Sequence, residues 1–293
     1  MKKPQFVLVI ALVTAIAFGT AHADTNRPPQ IEPDVVYGHK DGLAMTMDVY
    51  HPESGANGAA ILFMVSGGWF SVWAPPEQFK PVFQPYLDKG YTVMAVRHGS
   101  SPRYSIPEAV SDVRQAVRFV RKNAKRLHIE ADRLGALGMS AGGHLALMLG
   151  TTGDDGVPDA KDDLSRVSSR VAAVVALVPP TDLRVAVWEA PESLPAYRNF
   201  PALSLPLKEA GANSPLTHVT KDAAPALVIM GGKDDLVPMK HGQWIDEAFR
   251  KNGVQHKLIV FPDAGHGLEG DENRARLVRE AIGWFDRFLL KRK

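Results

Sequence analysis

Cysteine is absent from the 293 residues. That excludes disulfide staples, thiolate zinc ligands and an attachment thiol for lipid. No pair among the ten histidines has zinc-ligand spacing, and no glycine-rich loop runs into the lysine of a phosphate cradle. A surplus of one charge sign is missing too: 34 Lys and Arg face 32 Asp and Glu. A chain so balanced carries no electrostatic footprint for nucleic acid or an anionic surface. Beyond Ala23 no apolar run approaches the ~20 residues that span a bilayer. What is present is an ordinary globular composition, 45% hydrophobic and 23% charged, in a chain long enough to bury a core without staples.

The first 23 residues read as a secretory leader. Lys2 and Lys3 precede an apolar run from Phe6 to Phe18, and Ala21-His22-Ala23 puts small residues at a cleavage site. Removal after Ala23 takes away two lysines and no acid, which leaves 32 basic residues against 32 acidic ones. The expected product is periplasmic or secreted, with no membrane span once the leader is cleaved, and its oligomeric state stays open. Residues 24–293 are expected to form a single domain, entered through a loose, Pro-rich lead-in from Asp24 to Pro33.

The hydrophobic pattern then alternates between two periods. Leu43 to Tyr50 is apolar at odd positions, as in a half-buried strand. Ala59–Val65, Tyr91–Val96 and Leu134–Met139 are short, nearly continuous apolar runs, the mark of strands covered on both faces. Val171–Val178, Ala226–Met230 and Lys257–Phe261 are further strand candidates. Between them, Pro107–Arg126 carries Val110, Val113, Val117 and Val120 on one stripe. Helices are also expected at His144–Leu149, Met239–Lys251 and Arg274–Leu290. The implied fold class is α/β: a mostly parallel central sheet, opened by an antiparallel N-terminal pair, with helices on both faces. Two stretches leave this alternation. Thr151–Arg170 is acidic, but Asp154, Asp155, Asp159, Asp162 and Asp163 lack calcium-loop spacing and read as a solvated loop. Thr181–Pro215 holds five prolines among scattered aromatics and has the size of a small cap beside a site.

Gly138-Met139-Ser140-Ala141-Gly142 matches G-x-S-x-G, directly after a buried-strand pattern and before an apolar helix pattern. A hydroxyl is a poor nucleophile, so it must be thrust out on a tight strand-to-helix turn, where the helix N-terminus favours developing negative charge. A base is needed downstream. His266 follows the last strand candidate and has glycine on both sides. An acid must orient that base, and Asp234 and Asp235 both follow the strand ending at Met230, with Asp263 as a third contender that suits a turn. Backbone donors for an oxyanion are expected from the Ser66-Gly67-Gly68-Trp69 turn and from Ala141. His144 is expected to pack or hydrogen-bond the nucleophile turn. Trp69, Trp73, Trp188 and Phe200 lie in segments near the expected mouth, with Trp69 and Trp188 the candidates for touching substrate.

These motifs together resemble the α/β-hydrolase superfamily, in the acetyl-esterase and feruloyl-esterase-like branch that includes hormone-sensitive-lipase relatives. Gly67-Gly68-Trp69 is similar to the end of that branch's His-Gly-Gly-Gly-Trp motif, and Asp112–Val117 to its Asp-led helix. Asp132-Arg133-Leu134 through His144 resembles its nucleophile block, and Asn213–Leu216 and Asp234–Pro238 complete the pattern from about Val36 onward. The resemblance implies Ser140, Asp234 and His266 as catalytic triad, Gly67, Gly68 and Ala141 as oxyanion donors, and no cofactor or metal. Two departures stand out. Val65 and Ser66 occupy the places of the motif's histidine and first glycine, and an unusual His98 follows Val96-Arg97. The expected activity is hydrolysis of small-molecule or polysaccharide-linked short-chain esters. A serine exopeptidase shares the triad order, but the stretch between Ala23 and Pro33 does not hold the propeller those relatives usually carry. A non-catalytic binding protein on the same scaffold is the third reading.

Overall fold

The computed structural model describes residues 30–192 and 195–290. The expected leader, and the lead-in up to residue 29, lie outside the described residues. Ile31 to Pro33, expected to be loose, instead opens strand β1 (Ile31–Lys40). Pro33 is tolerated because β1 is an edge strand and its pairing with β2 (Leu43–Tyr50) shifts register between Glu32 and Val35. Asp41-Gly42 turns the hairpin with positive φ at both positions, as a two-residue hairpin loop requires.

The remaining elements alternate: β3 (Ala60–Val65), α1 (Lys80–Leu87), β4 (Thr92–Arg97), α2 (Ile106–Lys122), β5 (Leu134–Met139), α3 (Ala141–Thr152), β6 (Ala173–Leu177), α4 (Leu207–Ala212), β7 (Ala226–Gly231), α5 (Lys240–Lys251), β8 (His256–Phe261) and α6 (Asp271–Leu289). The strands form one sheet in the order β1-β2-β4-β3-β5-β6-β7-β8. The first two pairings next to β2 are antiparallel, and every pairing from β4 to β8 is parallel. The architecture is an α/β-hydrolase sheet with helices on both faces.

Strand side chains divide between two layers. Leu62, Met94 and Val228 pack with α2, α3 and α5, whereas Ile61, Val93 and Ile229 pack with α1 and α6. Helix α3 is buried from Ala141 to Gly150, which is why its sequence is apolar nearly all round rather than striped. Helix α2 starts one residue before the expected Pro107, at a capping box in which the Ser105 N–H donates to Glu108, and ends at Lys122 rather than Arg126. Helix α1 carries Pro81 in its first turn and Pro85 inside, so its periodicity is masked by residues that discourage helix. In β4, Arg97 reaches across the sheet to the buried Asp48 carboxylate at 2.6 Å and to Asp34 at 2.7 Å, which pins the hairpin to the parallel part.

At their carboxyl ends β3, β5, β7 and β8 all run into loops on the same edge of the sheet, the place where open α/β sheets build sites. The Thr181–Pro215 excursion covers this edge. It is made of short 3-10 turns at Leu183–Val185, Pro195–Asn199 and Pro201–Leu203, followed by α4.

Candidate active site

Ser140 sits between β5 and α3 with φ of 55° and ψ of −123°, a conformation that costs a non-glycine residue and persists only under tight surroundings. Those surroundings explain the flanking glycines. A Cβ on Gly138 would lie 2.2 Å from the Gly142 carbonyl oxygen, and one on Gly142 would lie 2.7 Å from that of Met64. The Ser140 N–H donates to Leu177 O at 2.8 Å, and its carbonyl accepts the His144 N–H at 2.9 Å.

His266 Nε2 lies 3.0 Å from Ser140 Oγ, and His266 Nδ1 lies 2.8 Å from Asp234 Oδ2. The Asp234 carboxylate is fully buried, and its other oxygen accepts the N–H groups of Leu236 at 3.0 Å and Val237 at 2.8 Å. An acceptor-only carboxylate at Nδ1 puts the ring proton there and leaves the Nε2 lone pair to accept from Ser140. Asp235 is exposed and Asp263 pairs with Lys233 at 2.8 Å, so neither contends for His266. The two loops are stitched together by Gly232 N–H to Phe261 O and Lys233 N–H to Ala264 O. Glu269 braces the histidine loop by accepting the N–H groups of Gly265 at 3.0 Å and Gly267 at 3.1 Å. Those bonds, first among them that to its own N–H, hold its carboxyl below the usual range. Nothing in the sequence pattern points to Glu269, because its role is to bind main chain.

The turn after β3 corrects one donor. The Gly67 N–H donates to Phe70 O at 3.0 Å, closing a two-residue hairpin turn, so it is spent inside the turn. The central residues Gly68 and Trp69 both have positive φ, and among the described residues their N–H groups meet no acceptor. Both line the cavity at Ser140. The available donors are therefore Gly68, Trp69 and Ala141, whose N–H is unpaired as the first of α3.

That cavity has a volume of about 20 Å³ and apolar walls from Pro180, Ala186, Tyr197, Phe200, Leu203, Leu236 and Val237. The cap thus supplies Ala186, Tyr197, Phe200 and Leu203. Trp188, expected to touch substrate, does not line it: its indole N–H donates to Tyr197 O at 3.1 Å and acts as a strut behind the wall. Trp69 lines it, yet its ring is buried against His144 rather than offered as a platform. Its indole N–H donates to His144 Nδ1 at 3.3 Å, and His144 Nε2–H donates to Asn213 O at 2.7 Å. Burial lowers His144 to about 4, so it bridges the two elements as a neutral ring. Trp73 is 59% exposed on the loop beyond the turn.

Residues 47–249 match the BD-FAE family. The chain belongs to the BD-FAE family. The family match ends before β8, and the loop that carries His266 follows that strand. Among curated proteins this family member is 26% identical over 259 residues to esterase LipQ of Mycobacterium tuberculosis, a match covering 86% of this chain and 61% of LipQ. It is 27% identical to the probable carboxylic ester hydrolase LipM of the same organism, over 85% of this chain and 58% of LipM. The chain thus spans about six-tenths of the length of these relatives. Among solved structures, the butyrate-bound esterase 2 of Thermogutta terrifontis superposes with a TM-score of 0.72 at 26% identity, covering 90% of this chain and 97% of that one. A truncated carbohydrate esterase from gut microbiota shares the fold, with a TM-score of 0.73 at 24% identity over 88% and 96% of the two chains.

Proposed function

We propose that this protein is a serine carboxylic-ester hydrolase that works through an acyl-enzyme on short-chain acyl esters. The observation that carries the reading is the unbroken hydrogen-bonded chain Ser140–His266–Asp234 opening on a small apolar cavity rimmed by unpaired N–H groups. His266 Nε2 takes the proton as Ser140 Oγ attacks the ester carbonyl. The oxyanion receives the N–H groups of Gly68, Trp69 and Ala141, and Asp234 stabilises the imidazolium. Collapse returns the proton to the departing alcohol. Water, deprotonated by the same nitrogen, then releases the acid and restores the Ser140 hydroxyl.

The cavity supports a small acyl group. The cavity is small and its walls are apolar, which suits a short acyl chain. Acetyl or feruloyl-type esters, carbohydrate-linked ones among them, are the proposed natural class. The esterase 2 structures with bound butyrate and propionate support the same scale. We further propose that residues 1–23 are a cleaved leader and that the protein acts in the periplasm or outside the cell. No helix among the described residues is long and apolar enough to cross a membrane.

A nitrophenyl ester series, run beside acetylated xylan, methyl ferulate and an amino-acyl arylamide, tests the proposal. Turnover peaking at two to four carbons supports it. A maximum at ten or more carbons overturns it, and preference for the arylamide favours an exopeptidase.

A further inference from the structure

The turn that carries the Gly68 and Trp69 donors is strained. Gly68 has φ of 57° and Trp69 has φ of 61°, and a residue with a bulky side chain keeps such a conformation only where its surroundings over-determine it. Part of the hold is at the tip, where the Trp69 indole meets His144 and the Trp69 carbonyl accepts the Ser101 N–H at 3.0 Å. The stem is held by a histidine that lies outside the cavity.

His98 follows β4 and is 4% exposed. Its Nδ1 lies 2.8 Å from the Gly99 carbonyl, which can only accept, so Nδ1 carries the proton. Nε2 is then an acceptor, and it takes the Ser66 hydroxyl at 2.8 Å. Burial lowers the imidazole from its ordinary value, which keeps it in this neutral form. The other leg of the stem is tied to the same residue: the His98 N–H donates to Ser71 Oγ at 3.1 Å, and Ser71 Oγ donates to Val65 O at 2.7 Å. His98 is itself anchored, because the Gly99 N–H donates to Asp112 Oδ2 at 2.8 Å and Asp112 pairs with Lys40 at 2.6 Å. Ser66 thus sits between a fixed buried acceptor and the first residue of the turn. Neither Ser66 nor His98 lines the cavity, so neither has substrate to touch.

We propose that His98, acting through the Ser66 hydroxyl, is a positioning residue that holds the turn so that the Gly68 and Trp69 N–H groups meet the oxyanion formed at Ser140. The inference rests on the esterase reading and adds a residue to it. Donor placement matters only as charge develops on the carbonyl oxygen, so loosening the stem weakens the transition state and leaves ground-state binding nearly unchanged. A displacement on the order of 1 Å costs about a hundredfold in rate.

The experiment compares wild type with Ser66→Ala, Ser66→Thr and His98→Leu on nitrophenyl acetate, with melting temperature measured for each. Ser66→Ala should lower kcat by about tenfold to a hundredfold while KM stays within about threefold, and Ser66→Thr, which restores a hydroxyl, should recover most of the loss. A trifluoromethyl ketone, which forms a tetrahedral oxyanion on the serine, should bind Ser66→Ala more weakly by the same factor as the fall in kcat/KM. His98→Leu should match Ser66→Ala in kcat. Should it fail to fold, Ser66→Ala decides alone, since it removes one oxygen and no packing. Wild-type kcat in Ser66→Ala overturns the proposal, as does a loss shared by KM and melting temperature that threonine does not restore. An inactive wild type overturns the esterase reading with it, whereas full activity in Ser66→Ala overturns the anchoring alone.

Discussion

Asp234→Asn is nearly isosteric, and its effect can be worked out atom by atom. Asp234 Oδ1 accepts two backbone N–H groups, from Leu236 and Val237, so the asparagine oxygen must stay on that side and its NH₂ must face His266 Nδ1. A donor at Nδ1 forces the imidazole into the tautomer protonated at Nε2. That nitrogen then has no lone pair for the Ser140 hydroxyl, although the ring need not move. The opposite flip sets the NH₂ against two N–H donors and is worse. Loss of the correct tautomer, with loss of imidazolium stabilisation, costs about 10⁴-fold in kcat, or about 5 kcal/mol of transition-state stabilisation. The assay is kcat on nitrophenyl acetate, with circular dichroism to show that the variant folds. Asp235→Asn, at an exposed position, serves as the neighbour control and should stay within about threefold of wild type. A loss below tenfold in Asp234→Asn, or a larger loss in Asp235→Asn, would refute the reasoning.

Other consequences are equally specific. His144 and His241 are both lowered from 6.5 to about 4, chiefly by burial, and are neutral in the folded state. The stability this confers is fully present above pH 6.5 and is lost as pH falls from 6.5 towards 4, up to about 3 kcal/mol for each. Denaturant titrations at pH 7.5 and 4.5 should therefore differ by several kcal/mol, and His144→Gln should shrink the difference. Asp48→Ala leaves Arg97 with its buried guanidinium half-paired and should cost about 3–5 kcal/mol in denaturant unfolding. Phe200→Ala enlarges the acyl cavity beside Gly68 and should shift the chain-length optimum upward by two or more carbons, read from kcat/KM across the nitrophenyl series.

Much of this was visible in the chain because buried parallel strands and the strand–turn–helix at Ser140 announce themselves locally. Leu134–Met139 has the bounds expected of it, since a run covered on both faces is apolar throughout and ends where Ser140 must turn. His266 and Asp234 are brought together as their order and strand-end positions imply. The missed features depend on contacts that no local pattern encodes. The motif points to Gly67 as a donor, but whether its N–H is free depends on the turn closing onto Phe70. Trp188 belongs to a segment near the mouth, and only the cap's path shows its indole bonded to Tyr197 O. Helix α1 was hidden by Pro81 and Pro85, although proline in a first turn is compatible with helix. The capping box Ser105-Ile106-Pro107-Glu108 was readable and would have set the start of α2. His98 stood out as unusual, yet its partner Ser66 is 32 residues away and belongs to another strand's loop.

The central claim is that Ser140 is the nucleophile of an ester hydrolase. Titration with a fluorophosphonate, followed by mass spectrometry of the adduct and by residual turnover of nitrophenyl acetate, tests it most directly. The account predicts one adduct per chain on Ser140, turnover falling in step with labelling, and neither label nor turnover above about a thousandth of wild type in Ser140→Ala. Turnover that survives complete labelling of Ser140, or persists at the wild-type rate in Ser140→Ala, would contradict it.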